Sequence, residues 1–171
     1  GGHNSTLILD ELVWTTPHLR SDIFHALHLC EFKLPINSKA KYSTLLSQYI
    51  KAATKIVFMI AEIEKNSPAK ILVNALYLEL DEIRDSVLLL FSFVYDKDKM
   101  LKAKSAFSHK KKEGIANALE IIEIEVPKEI SLKFNTLFEP STIVHKCGAL
   151  KLYFREQLNY TLVLEEILNN K

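Results

Sequence analysis

The chain has 171 residues, of which 48% are hydrophobic and 25% charged, with a formal net charge of +1. That length fits one domain with a real core, and the composition excludes wholesale disorder. The near-neutral balance argues against a dedicated nucleic-acid binder, which carries a clear basic excess, and Cys30 and Cys147 read as reduced thiols rather than a disulfide framework.

Residues 1–5, Gly-Gly-His-Asn-Ser, read as the remnant of an expression vector and not as a targeting segment, leaving residues 6–171 as a single all-helical domain. A short helix is expected over residues 6–13, with Leu7, Leu9 and Leu12 as its apolar positions. Thr16-Pro17 then supplies an N-cap and a proline at the first helical position, opening a helix that runs to about Glu31. Pro35 sits in the connection that follows.

Two long helices come next and form a hairpin over residues 38–95. The first, 38–65, carries Leu45, Leu46, Tyr49, Ala53, Ile56, Ile60 and Ile63 on one stripe. The second starts at Ser67-Pro68, another cap-plus-proline signal, and carries Leu72, Leu76, Leu80, Ile83, Val87, Phe91 and Val94. Spacings of three and four are the helical period, and each helix should be roughly 40 Å long. The linker Asn66-Ser67 is short enough to force an antiparallel pairing. The longest uncharged apolar stretch, 86–95, falls far short of the roughly 20 residues that a membrane span needs.

A short-helix array is expected over residues 98–169, with helices at 98–108, 111–125, 127–138, 141–154 and 156–169. The alternation in Glu123-Ile124-Glu125-Val126 is too brief to overrule the helix before it. Short helices with one apolar stripe each must stack on their neighbours to bury it, which makes the array a degenerate α-solenoid at most. Beyond Gly1-Gly2 the only glycines are Gly114 and Gly148, so the chain has no Gly-rich phosphate loop and no dinucleotide-binding turn.

Three segments share an apolar residue, an arginine or its equivalent, and then an Ala/Leu-rich run: Pro17 to Leu27, Glu82 to Leu90, and Gly114 to Glu120. This pattern resembles HEAT-type helical repeats. The order from Ile83 to Glu139 resembles, more specifically, a HEAT-like soluble region of bacterial membrane proteins related to ATP/ADP translocases. The residues carrying it are Tyr95-Asp96 at the end of an apolar helix, the run Ala116 to Glu120, and a Pro127-led helix closing on Leu137 and Glu139. The chain departs from the pattern at Gly114-Ile115, where an arginine is expected.

The resemblance implies an all-α, HEAT-like superhelix, with the long hairpin followed by stacked short helices. It implies no catalytic residue, and the residues themselves lead us to expect neither a cofactor nor a metal. It places the chain on the cytoplasmic side of the inner membrane, tethered through a transporter-like portion of a longer parent. Arg20, Arg84 and Asn117 are its candidate structural polar residues.

The densest polar cluster, His18, Asp22, His25, His28 and Cys30, contains zinc-ligand residue types. Helical spacing divides it: the histidines and Asp22 share one face, while Cys30 falls with Leu19, Ile23, Ala26 and Leu27 on the other, as a core residue. A metal site would need a ligand from elsewhere, with His145 the nearest candidate by type.

Lys110, Lys111 and Lys112 close a segment, 96–112, with seven lysines and two acids. They are candidate contacts for an anionic membrane surface, against the simpler reading of a solvated turn. Glu113, Glu120, Glu123, Glu125 and Glu129 lack a histidine at metal-ligand spacing and read as an acidic outer face. Asn117 either points inward and ties an inter-helix loop or lies on the surface. Trp14, the sole tryptophan, is expected to anchor the first two helices.

These readings favour a non-catalytic scaffold that binds another protein, or another domain of the same polypeptide, and no nucleic acid. The alternative is a small-molecule sensor with a pocket between the long helices and polar groups from His25 or Tyr49. A helical-bundle enzyme ranks third, because no Glu-x-x-His pair is present.

Overall fold

Apolar residues recurring every three or four positions become α-helices throughout. The computed structural model describes residues 2–66, 69–109 and 111–169, and no strand occurs among them. The helices are α1 (Gly2–Thr15), α2 (Arg20–Leu29), α3 (Lys39–Asn66), α4 (Lys70–Val94), α5 (Lys97–Ser108), α6 (Lys112–Glu125), α7 (Lys128–Phe138), α8 (Ile143–Leu150) and α9 (Tyr160–Asn169). Short 3₁₀ turns at Pro17–Leu19 and Ile36–Ser38 lead into α2 and α3. Among the described residues, no helix is long and apolar enough to cross a membrane.

Several boundaries differ from the sequence expectation. Helix α1 begins at Gly2, not at residue 6, so residues 2–5 belong to it. Thr16 caps nothing with its side chain: its hydroxyl donates back to the Leu12 carbonyl at 2.6 Å, extending the end of α1. The expected cap at Ser67-Pro68 lies outside the described residues. Helices α8 and α9 start later than expected, at the residues after Thr142 and Asn159, which accept from the His145 and Leu162 amides, and α8 also ends early, at Leu150.

The end of α2 corrects a second expectation. The helix stops at Leu29, and Glu31 takes a left-handed backbone conformation, φ 54°. Its amide donates to the His28 carbonyl at 3.1 Å and the Phe32 amide to the Leu27 carbonyl at 3.0 Å, a Schellman pair. Leu27 and Phe32, the positions whose apolar contact accompanies this motif, are both buried in the same core cluster. Cys30, leaving the helix here, is exposed; the periodic extrapolation that made it a core residue fails because the helix no longer exists at that position. A non-glycine residue at φ 54° is strained by its Cβ. Glu31→Gly is therefore expected to stabilise the fold by about 1 kcal/mol, seen as a melting temperature higher by about 2–4 °C.

Helix α3 is the centre of the molecule. Leu45, Leu46, Ala53, Ile56, Ile60 and Ile63 of its expected stripe are buried and Tyr49 is half-buried; Tyr42, Ile50, Val57 and Met59 are buried as well. It packs on α4, and also on α7, α8 and α9, far along the chain. Successive helices from α4 to α8 pack each on the next, yet the last three return to α3. An open solenoid has contacts only between neighbouring repeats, and this array instead closes onto its long hairpin.

Helix α4 divides into two halves. From Ser86 to Phe93 every residue is buried, because α2, α3 and α5 surround that half. Phe91 and Phe93, about 200° apart around the helix, enter two different aromatic clusters. Phe91 packs with Tyr95 and Phe134, and Phe134 in turn with Phe107 and Phe138. Phe93 packs with Phe24, Phe32 and Tyr42. Trp14 meets this second cluster edge-on at Tyr42, ring centroids 5.5 Å apart, so its ring packs on α3.

Lys146 of α8 is buried, and its ammonium donates to the Leu137 carbonyl near the end of α7. Burial pushes its pKa below the ordinary 10.5, with the nearby Glu139 opposing the shift only in part. Between that lowered value and pH 10.5 the unfolded chain holds more protons than the folded one, so this lysine makes stability rise with pH there. In Lys146→Met that contribution is expected to vanish, and the difference in melting temperature between wild type and variant, followed across the alkaline range, measures it.

Candidate functional site

The N-terminal half of α4 has two apolar faces. Leu76 and Leu80 are buried against the hairpin partner. Ile71, Ala75 and Leu78 lie within about 60° of one another on the opposite face and are exposed, Ile71 by 88% and Leu78 by 66%. Tyr77 is exposed by 41% beside them. This second stripe makes the half-helix unusual, since a surface helix ordinarily turns polar residues to water.

Beside the stripe lies a cleft of about 390 Å³ between α3, α4 and α9. Its walls are apolar, from Ile56 and Met59 on α3, Leu72, Ala75 and Leu76 on α4, and Ile167 on α9. Lys55, Glu79 and Glu166 supply its charge. Lys55 is committed to carboxylates, 2.6 Å from Glu166 and 3.5 Å from Glu156, and the Glu166 hydrogen bond pushes its pKa up. Glu79 forms no salt bridge among the described residues; burial first, then the Glu82 and Glu166 carboxylates, pushes its pKa up. The cleft thus combines an apolar floor with one carboxylate whose charge nothing offsets.

A second depression of about 320 Å³, against α7, contains Lys51, Glu129, Lys133 and Tyr153. Its cations are already engaged: Lys133 lies 3.1 Å from Glu129 and 4.7 Å over the Tyr153 ring, and Lys51 lies 3.5 Å from Glu156.

The residues singled out from sequence fall in several places. The Arg20 Nε donates to the Val13 carbonyl at 2.8 Å, tying the start of α2 to α1. Arg84 bonds Asp81 and Asp85 on its own helix, and its guanidinium lies 5.4 Å from the Phe107 ring centroid on α5. Asn117 is exposed, so the inward alternative does not hold; Asn135 of α7 ties the neighbouring helix instead, donating to the Leu119 carbonyl at 3.2 Å. The difference is one of facing: Ala118, not Asn117, occupies the buried face of α6.

Lys111 and Lys112 are exposed where α5 gives way to α6, and Lys110 lies outside the described residues. Among the acidic residues, Glu125 pairs with Lys99 and Glu129 with Lys133, while Glu113, Glu120 and Glu123 are exposed. His145 pairs with Glu139 at 3.2 Å. His18 and His25 are exposed, and Cys30 and Cys147 are free thiols. Among the described residues, no group of three or more His, Cys, Asp or Glu side chains is placed to hold a metal ion.

Sequence reasoning missed Glu79, Met59, Ile71 and Leu78. A signal for the last two exists: Ile71, Ala75 and Leu78 repeat at four and three residues, on a helix already credited with one apolar stripe.

Fold and site together define an all-helical protein with an exposed apolar stripe beside a cleft at one end of its long hairpin. The chain matches no protein-family model, no curated protein and no solved structure.

Proposed function

We propose that the protein is a non-catalytic helical scaffold that receives an amphipathic, basic helix in the cleft between α3, α4 and α9. The helix comes from another protein or from another domain of the same polypeptide. The observation that carries this reading is the exposed stripe Ile71, Ala75 and Leu78, lying along a cleft whose floor is also apolar. Helix-in-groove recognition uses such a stripe to hold apolar anchors at helical spacing. Covering a large apolar side chain contributes about 1.5–3 kcal/mol, and the uncompensated Glu79, with Glu82 beside it, favours a lysine or arginine on the incoming helix.

The sequential packing from α4 to α8 is in keeping with a HEAT-like relationship. On that reading the parent is a bacterial membrane protein of the nucleotide-transporter kind, with this region at the cytoplasmic side of the inner membrane. Exposed Lys111 and Lys112 would then face anionic lipid. The natural gene's upstream reading frame tests the membrane assignment: a frame without transmembrane helices removes it.

The docking reading is tested by placing a photo-crosslinking residue at Leu78, with exposed Asn117 as the control position, in the natural full-length protein. An adduct at 78 that is absent at 117 and is lost with Glu79→Lys is the expected result. No adduct at 78 above the control overturns it.

A small-molecule sensor is the second reading, favoured by the size of the cleft and by its position between the two long helices. It requires neither His25 nor Tyr49, since neither lines that cleft. A melting temperature raised by small organic cations, and unchanged by amphipathic peptides, would select it over the docking reading.

A further inference from the structure

Two polar clusters that are far apart in the sequence meet in the fold. The histidine face of α2 and the lysine-bearing α5 both flank the buried half of α4, and between them lies a cleft of about 270 Å³ with Leu89 at its base. His25 and His28 line it from one side, and Lys104, Ser105 and Ser108 from the other. None of these residues belongs to the α3/α4/α9 cleft.

We propose that this cleft is a binding site for a phosphate group, taken as a phosphate monoester dianion. Its donors are the Lys104 ammonium, the ring N–H groups of His25 and His28, and the Ser105 hydroxyl.

Charge and hydrogen bonding both support this assignment. Lys104 has no salt-bridge partner among the described residues, and the charged groups acting on His28 are Lys97, Lys104 and His25, with no carboxylate among them. Burial, reinforced by those cations, pushes the His28 pKa below its ordinary 6.5 and keeps the ring neutral at neutral pH. The His28 Nδ1 is buried and has no hydrogen-bond partner among the described residues. The Ser108 hydroxyl donates back to the Lys104 carbonyl at 3.2 Å, whereas the Ser105 hydroxyl has no hydrogen-bond partner among the described residues. Lysine, histidine and serine side chains thus line one cleft that has no carboxylate among its lining residues, where a dianion would offset the cationic charge.

The experiment follows the histidine ring protons by NMR as a function of pH, in inorganic phosphate and in sodium chloride of matched ionic strength. His25→Asn and His28→Asn assign the two resonances. Phosphate is expected to raise the His28 pKa by about one pH unit, and Lys104→Met to reduce that rise by at least half. Vesicles of phosphatidylcholine with and without phosphatidic acid form the second arm. A response to free phosphate identifies a soluble monoester, and a response only to phosphatidic acid identifies a lipid headgroup; either supports the site. Titrations in phosphate and in phosphatidic acid that both superimpose on their controls overturn it, and that result needs no variant to fold.

Discussion

Replacing Tyr42 by alanine is expected to cost about 3–5 kcal/mol. Its ring is fully buried and touches Trp14, Phe32 and Phe93, so truncation opens a cavity where the N-terminal helix, the α2–α3 connection and the end of α4 meet. The hydroxyl contributes separately: it donates to the Asp10 carboxylate on α1 at 2.6 Å. Tyr42→Phe keeps the ring and is expected to cost about 1–2 kcal/mol, a gap that urea unfolding resolves as two distinct midpoints with an unchanged slope. A Tyr42→Phe variant as unstable as Tyr42→Ala would show that the Asp10 bond, and not the ring packing, holds α1 in place.

Alkaline pH adds a second measurement on the same residue. Burial first, then the Asp10 hydrogen bond, pushes the Tyr42 phenol far above its ordinary 10.0. Above pH 10 the unfolded chain loses this proton while the folded one keeps it, so the tyrosine makes stability fall as pH rises. Tyr42→Phe is expected to lack that component of the alkaline decline.

Phe134→Ala is expected to be comparably damaging, at about 3–5 kcal/mol. Phe134 is fully buried and sits among Phe91, Phe107 and Phe138, joining α4, α5 and α7 through one ring. Phe134→Leu retains much of the volume and is expected to cost clearly less, because the penalty follows the cavity left behind. Equal losses for the two variants would mean that ring geometry, and not filled volume, supplies the stability. The two clusters flank the same half of α4, so damage to either is expected to reduce global stability and not merely to fray one end.

Much of this fold was legible in the amino-acid order. The long hairpin follows from apolar positions at helical spacing and a linker too short for any other return. The α3 stripe proved to be buried along its length, apart from the half-buried Tyr49. Helix ends were less legible, since a single left-handed residue at Glu31 stops α2 and turns Cys30 outward. No periodicity argument contains that event.

The candidate sites were less legible still. Ile71 and Leu78 could be read as apolar, but which of two stripes on α4 would be covered depended on which face the hairpin partner α3 took. The histidine face of α2 and the lysine-rich segment 96–112 were each visible as clusters, with nothing in their spacing to join them. Their meeting above Leu89 required both helices to pack on α4.

Local order alone determined that this chain is helical, where its long helices run, and that most of their apolar stripes would be buried. Tertiary structure decided that α7, α8 and α9 close back on α3, that half of α4 is buried all round, and that the Ile71–Leu78 face and the His25–Lys104 cleft stay open. The physical reason is that helical period and chain reach are properties of neighbouring residues. Burial and charge compensation depend on partners brought from elsewhere in the chain.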